Sequence, residues 1–166
     1  MQARTAVIAI AALVLSAPAA AACELPGGDL KRSPLQTRRP VIGEDARITS
    51  GYGMRHHPLL AVKRMHNGVD WAAPTGTQVV AAGPGRVVST RVDGEYGNVV
   101  RVDHGGGWQT LYAQLAAFDV SEGDCVGVRG PIGKVGATGI ASGPHLHFEV
   151  HFNGQPLDPL SIATQQ

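Results

Sequence analysis

Two short stretches hold most of the side chains able to do chemistry. In "GPHLHFEV", His145 and His147 stand two apart. On a strand both imidazoles project from one face, roughly 6–7 Å apart along the chain. That is too far to share a proton, but it suits one ring binding a metal while the other acts on the metal's substrate. Phe148 and Val150 fall on the core side of such a strand. In "RMHNGVDWAAPTG", His66 and Asp70 stand four apart, but Asn67-Gly68 and Pro74 argue against a helix. A turn leading into a short strand is expected there, able to swing the imidazole round to the carboxylate. Two histidines and one carboxylate make the ligand set of a catalytic zinc site, with the fourth position left for water. With only two cysteines, an all-cysteine structural site is excluded. The chain also lacks H-E-x-x-H and G-x-S-x-G, so those hydrolase motifs are absent.

The elements that must position these groups read as strands. From "RITSGYG" onward, short apolar runs such as "GRVVSTRV", "NVVRV" and "HLHFEVHF" alternate with Gly, Pro and Asp clusters. No window keeps a helical period. The expectation is a mainly β, antiparallel domain over residues 47–166. Within it, "TLYAQLAAF" reads as a half-buried strand. Alternation puts Thr110, Tyr112 and Gln114 on one face, and Leu111, Ala113 and Leu115 on the other.

The start of the chain reads as a secretory leader over residues 1–22. Arg4 is the positive end, Ala6 to Leu15 the apolar centre, and the Ala-rich run to Ala22 the cleavage region. The apolar run is too short to span a bilayer. An exported protein of a bacterial periplasm or envelope is expected. Cys23 follows the cut, which allows a lipid anchor, or a disulfide with Cys125. Residues 23–46 are rich in Pro, Gly and charge and read as a flexible arm, able to lie across a groove. The net charge is +1, so no basic field favours nucleic acid.

"MHNGVDWAAPTGTQVVAAGPGRV", "YAQL", the glycine pattern from Gly123 to Gly139 and "GPHLHFEV" together resemble the lysostaphin-type (LytM-like) zinc endopeptidases of bacterial cell walls. The resemblance runs from about Ile48 to Pro159. It implies an open groove in a β fold, a zinc ion at its floor, and peptidoglycan stem or cross-link peptides as substrate. It also implies that His66, Asp70 and His147 ligate the zinc and that His145 is one of two catalytic histidines. The other catalytic histidine belongs where this chain has Gln114.

Glutamine cannot exchange protons near neutral pH, but its NH₂ can donate a hydrogen bond. Reduced turnover is therefore expected. The alternative is a peptidoglycan-binding or regulatory module that activates or scaffolds a cell-wall enzyme. Other histidines make poor substitutes. His104 lies ~20 Å from Gln114 along a hairpin, and His151 ~13 Å beyond His147. His56 and His57 occupy a loop of unfixed position and stay open as substitutes.

Overall fold

The computed structural model describes Cys23, residues 33–56 and residues 62–162. The proposed leader and residue His57 lie outside them. Twelve strands and no helix occur among the described residues. They are β1 (Arg47–Ser50), β2 (Gly53–His56), β3 (Lys63–His66), β4 (Val69–Ala72), β5 (Gln78–Val80), β6 (Gly85–Asp93), β7 (Gly97–Gly105), β8 (Trp108–Phe118), β9 (Cys125–Val126), β10 (Pro131–Val135), β11 (His145–Phe152) and β12 (Gln155–Leu157). The main sheet runs β1-β4-β11-β8-β7-β6-β9, with β10 joining β8 to β5 and β12 alongside β11. Every pairing is antiparallel. The hairpin β2-β3 stands apart as a second, two-stranded sheet.

Alternation along the central strands separates two faces. Val69 and Trp71 of β4, and Leu146, Phe148 and Val150 of β11, enter one core with Tyr112 of β8. The Tyr112 and Phe148 rings lie 5.3 Å apart in the middle of it. Burying each such side chain contributes roughly 1.5–3 kcal/mol. The residues between them, Asp70, His145 and His147, face the groove.

The β8 strand departs from simple alternation. Asn98 pairs with Leu115 and Val100 with Tyr112, so Ala113 and Gln114 together oppose Val99 alone. Gln114 has φ of 63°, in the left-handed region. This bulge returns Leu115 to the core beside Tyr112 and sends Gln114 to the groove. Thr110 and Tyr112 therefore do not share a face with Gln114, contrary to the alternation expected from the sequence. Ala113 packs instead with Val99, Leu111 and Tyr96 in a second small cluster.

The expectation of a flexible arm also fails over residues 33–46. Leu35 and Val41 are 1% and 2% exposed and belong to the main core. The Val80 N–H donates to Pro40 O at 2.8 Å, and the Ile42 N–H to Gln78 O at 3.0 Å. The segment thus covers the open edge of β5, whose backbone groups otherwise lack partners. None of these residues lines the groove. Cys23 and Cys125 form a disulfide across 102 positions. That sulfur is not available for a lipid anchor. Residues 24–32 lie outside the described set.

Candidate functional site

Antiparallel register puts Asp70 of β4 directly opposite His147 of β11. Cross-strand neighbours on one face lie about 4.5–5.5 Å apart at Cβ, close enough for side-chain contact. His147 Nδ1 lies 2.8 Å from Asp70 Oδ1. His66 ends β3, and Asn67-Gly68 carries the chain back into β4. At Gly68 the backbone runs hard against β11, where an added Cβ would meet Phe148 O at 2.3 Å. Only glycine permits that approach, and it brings His66 over the sheet. His66 Nε2 is 3.1 Å from both Asp70 Oδ1 and His147 Nδ1.

The outer hydrogen bonds fix which atoms face inward. His66 Nδ1 donates to Gly51 O at 2.6 Å, and His147 Nε2 donates to Glu149 Oε1 at 2.9 Å. With both rings neutral, as a metal ligand must be, each carries its one N–H on the outer nitrogen and leaves the inward nitrogen a lone pair. In that neutral state the two nitrogens and Asp70 Oδ1 are three acceptors in mutual contact; without a metal, a proton on His147 Nδ1, donated to Asp70 Oδ1, relieves the repulsion. The proton-free triangle is repulsive alone and favourable around a cation, and these three residues could hold a metal ion. Their nitrogen and oxygen chemistry suits zinc.

Buried charges behind the triangle reinforce it. Glu149 is 1% exposed and accepts from His147, from the Tyr96 hydroxyl at 2.8 Å, and from His151 Nε2 at 2.5 Å. Burial pushes the Glu149 carboxyl up, but His147 and His151 outweigh it and hold it well below the usual range. Asp70 behaves likewise through His147 and His66. Burial disfavours a charged His147, yet Asp70 and Glu149 raise it to about 9 without a metal. Burial, then Glu149, pushes the Tyr96 hydroxyl up to about 12.

His145 stands beside the triangle, its Nε2 3.8 Å from Asp70 Oδ1. Its Nδ1 donates to Gly143 O at 2.9 Å, leaving Nε2 as a proton acceptor facing the groove. Gln114 lines the same groove of about 560 Å³. Its amide is largely occupied: Nε2 donates to Glu95 O at 3.1 Å, and Oε1 accepts from the Gly139 N–H at 2.7 Å. Its own backbone N–H donates to Tyr96 O at 2.8 Å. Gln114 thus ties the β6–β7 turn to the loop after β10, with one amide hydrogen left over.

The remaining histidines separate cleanly. His104 is in the core, between Pro84 O at 2.7 Å and Thr110 Oγ1 at 2.8 Å. His151 serves Glu149, and His56 is an exposed groove residue on β2. Three participants in the site were not singled out from the sequence: Arg55 and Tyr96, which line the groove, and Glu149, buried behind His147. Glu149 had a signal, since it continues the period of two from His145 and His147.

The family model for peptidase family M23 matches residues 64–159, more than half of the chain. The DD-carboxypeptidase/endopeptidase Mpg of Neisseria meningitidis is 49% identical over 119 residues, covering 70% of this chain and 27% of that protein. The peptidoglycan DD-endopeptidase ShyA of Vibrio cholerae is 39% identical, covering 74% of this chain and 29% of its own length. The chain therefore spans under a third of these two curated relatives. Among solved structures, a zinc-containing peptidase from Vibrio cholerae superimposes with a TM-score of 0.73 at 34% identity, over 81% of this chain and 41% of that one. The catalytic domain of lysostaphin from Staphylococcus simulans gives 0.64 at 30% identity, over 69% and 90%. With Asp70 and His147 set in register and His66 brought over them by Gly68, inside the span that the family model matches, this chain belongs to peptidase family M23.

Proposed function

We propose that this protein is an exported zinc metalloendopeptidase that hydrolyses peptide bonds of bacterial peptidoglycan. The observation that carries the reading is the convergence of three possible ligand atoms, from His66, Asp70 and His147, on the floor of an open groove. His66, Asp70 and His147 would hold a zinc ion there, which would supply Lewis acidity towards a peptide carbonyl and water. His145 accepts the proton of the attacking water at Nε2, its ring oriented by Gly143 O. Glu149 locks the His147 tautomer from behind. Relatives named as peptidoglycan endopeptidases support the substrate class. The Cys23–Cys125 disulfide supports an oxidising compartment.

Gln114 is the feature that lowers the rate. It stands where the family resemblance places a second catalytic histidine, and it cannot transfer a proton. If that transfer is needed, the loss is about 10²–10⁴-fold. The same residue favours a second reading, a module that binds wall peptides or a partner enzyme without cutting. The occupied Gln114 amide is what favours it, since little of that group remains for substrate.

One comparison separates the two. Purified sacculi are incubated with wild type, Gln114→His and His147→Ala, and released peptides are measured alongside bound zinc. Release by wild type, abolished in His147→Ala, supports the peptidase. Zinc and wall binding without release sinks it in favour of the module.

A further inference from the structure

Arg55 of β2 has a role that the metal triangle and His145 leave unexplained. Its side chain is 28% exposed and lines the groove. Its only acceptor among the described residues is Asp70 Oδ2, at 3.5 Å from Nη2. Its Nε is buried without a partner. A guanidinium carries five N–H donors, so most of this one's capacity is unused. The neighbouring Arg64 differs, because Glu95 engages it at 2.5 Å.

A pairing with Asp70 alone does not account for this arrangement. Arginine–carboxylate pairs that serve each other are commonly bidentate, at about 2.7–2.9 Å. Here the contact is single and at the limit of a hydrogen bond. Asp70 also has its other oxygen in the triangle, 3.1 Å from His66 Nε2 and 2.8 Å from His147 Nδ1. Asp70 thus faces Arg55 with Oδ2 and His66, His147 and His145 with Oδ1. A peptide lying over the triangle passes within reach of the guanidinium.

We infer that Arg55 is a specificity residue that binds a free carboxylate on the peptide substrate, next to the bond held at the triangle. The inference rests on the peptidase reading for its substrate class, although the anion site itself does not. A planar carboxylate takes two parallel N–H bonds from the exposed edge of the guanidinium. The ligand class is a peptide whose residue beside the target bond keeps its carboxylate unblocked.

The test uses the full, zinc-loaded protein and an acetylated peptide ending in D-alanyl-D-alanine, made as the free acid and as the C-terminal amide. Equilibrium binding is measured by calorimetry and cleavage by chromatography, with zinc content recorded for each variant. Wild type should prefer the acid by about 10–100-fold, the discrimination expected of a charge-assisted pair. Arg55→Gln should bring the acid-to-amide ratio towards one, and Arg55→Lys should recover part of it. Equal binding of acid and amide by wild type overturns the inference, and needs no variant to do so. A ratio unchanged in Arg55→Gln, or zinc lost from Arg55→Gln and restored by Arg55→Lys, overturns it in favour of a role in holding Asp70. Preference for the acid in binding, lost in Arg55→Gln, upholds the carboxylate site even where neither peptide is cut, and no release from sacculi by the same protein then refutes the peptidase reading alone.

Discussion

Replacing Glu149 with glutamine tests the tautomer argument directly. Three donors point at this buried carboxylate: His147 Nε2, the Tyr96 hydroxyl and His151 Nε2. A carboxamide of the same shape offers one acceptor oxygen and one NH₂, so it cannot serve all three. The bond to His147 changes from charge-assisted to neutral, a loss of about 1–1.5 kcal/mol. The lone pair at His147 Nδ1 becomes less basic at the same time. Zinc affinity should fall about 10–100-fold. At saturating zinc, a tenfold loss removes about 1.4 kcal/mol of metal-linked stability. In a domain of this size that is roughly 3–6 °C in the melting increment between zinc-loaded and chelated protein. Competition with a chromophoric chelator at fixed pH measures the affinity, and paired melts with and without chelator measure the increment. Affinity within twofold of wild type in a folded Glu149→Gln protein would refute the argument that Glu149 sets the metal-facing nitrogen.

The remaining predictions concern the frame around the site. Gly68→Ala puts a Cβ 2.3 Å from Phe148 O. The shift should cost about 1–3 kcal/mol and displace His66, so the dialysed protein retains little zinc by elemental analysis; full zinc occupancy would count against the approach argument. Burial lowers the His104 imidazole below its ordinary value, so the folded state binds fewer protons than the unfolded one. That contribution is present above about pH 6.5 and is lost as pH falls below it. Denaturant melts of wild type and His104→Phe in excess chelator should differ by about 1–3 kcal/mol at pH 8, and the gap should narrow towards pH 5; a constant gap would show that His104 is not buried neutral. The disulfide closes a span of 102 positions. Cys125→Ser should therefore lower stability by about 4–5 kcal/mol on the chain-entropy estimate, read as a lower denaturant midpoint, and an unchanged midpoint would refute the crosslink's role.

Much of the site was legible because it follows strand periodicity. His145 and His147 share a face by a period of two, and Asp70 meets them through ordinary antiparallel register. The turn at Asn67-Gly68 was also readable, since both residues favour turns. Position 114 was not. A bulge moves every later side chain to the other face, and its positive φ falls on a glutamine, which gives no local signal of the kind Gly or Asn would. Residues 33–46 failed for a different reason. Leu35 and the Val41-Ile42 pair are brief apolar interruptions among Pro, Gly and charge, so no period marks them. Leu35 and Val41 pack because β5 has an edge to cover, and that edge exists only once the sheet has formed. Arg55 and Tyr96 were missed because each belongs to the site through neighbours distant in sequence, Asp70 and Glu149.

The bulge bears on what the glutamine means. A non-glycine residue in the left-handed region costs about 1–2 kcal/mol, and here the surrounding backbone supplies the compensation. The Gln114 N–H bonds Tyr96 O, while Ile140 N–H and the Gln114 amide both bond Glu95 O. Gly139 packs so closely on this turn that an added Cβ would lie 2.2 Å from Glu95 O. Most of these contacts are main chain to main chain and do not depend on which side chain stands at position 114. The fold therefore presents residue 114 to the groove whatever its type, and the side chain alone decides the chemistry there. Glutamine uses that place to join two loops of the groove wall, and this leaves His145 Nε2 as the free imidazole acceptor beside His66, Asp70 and His147 among the described residues.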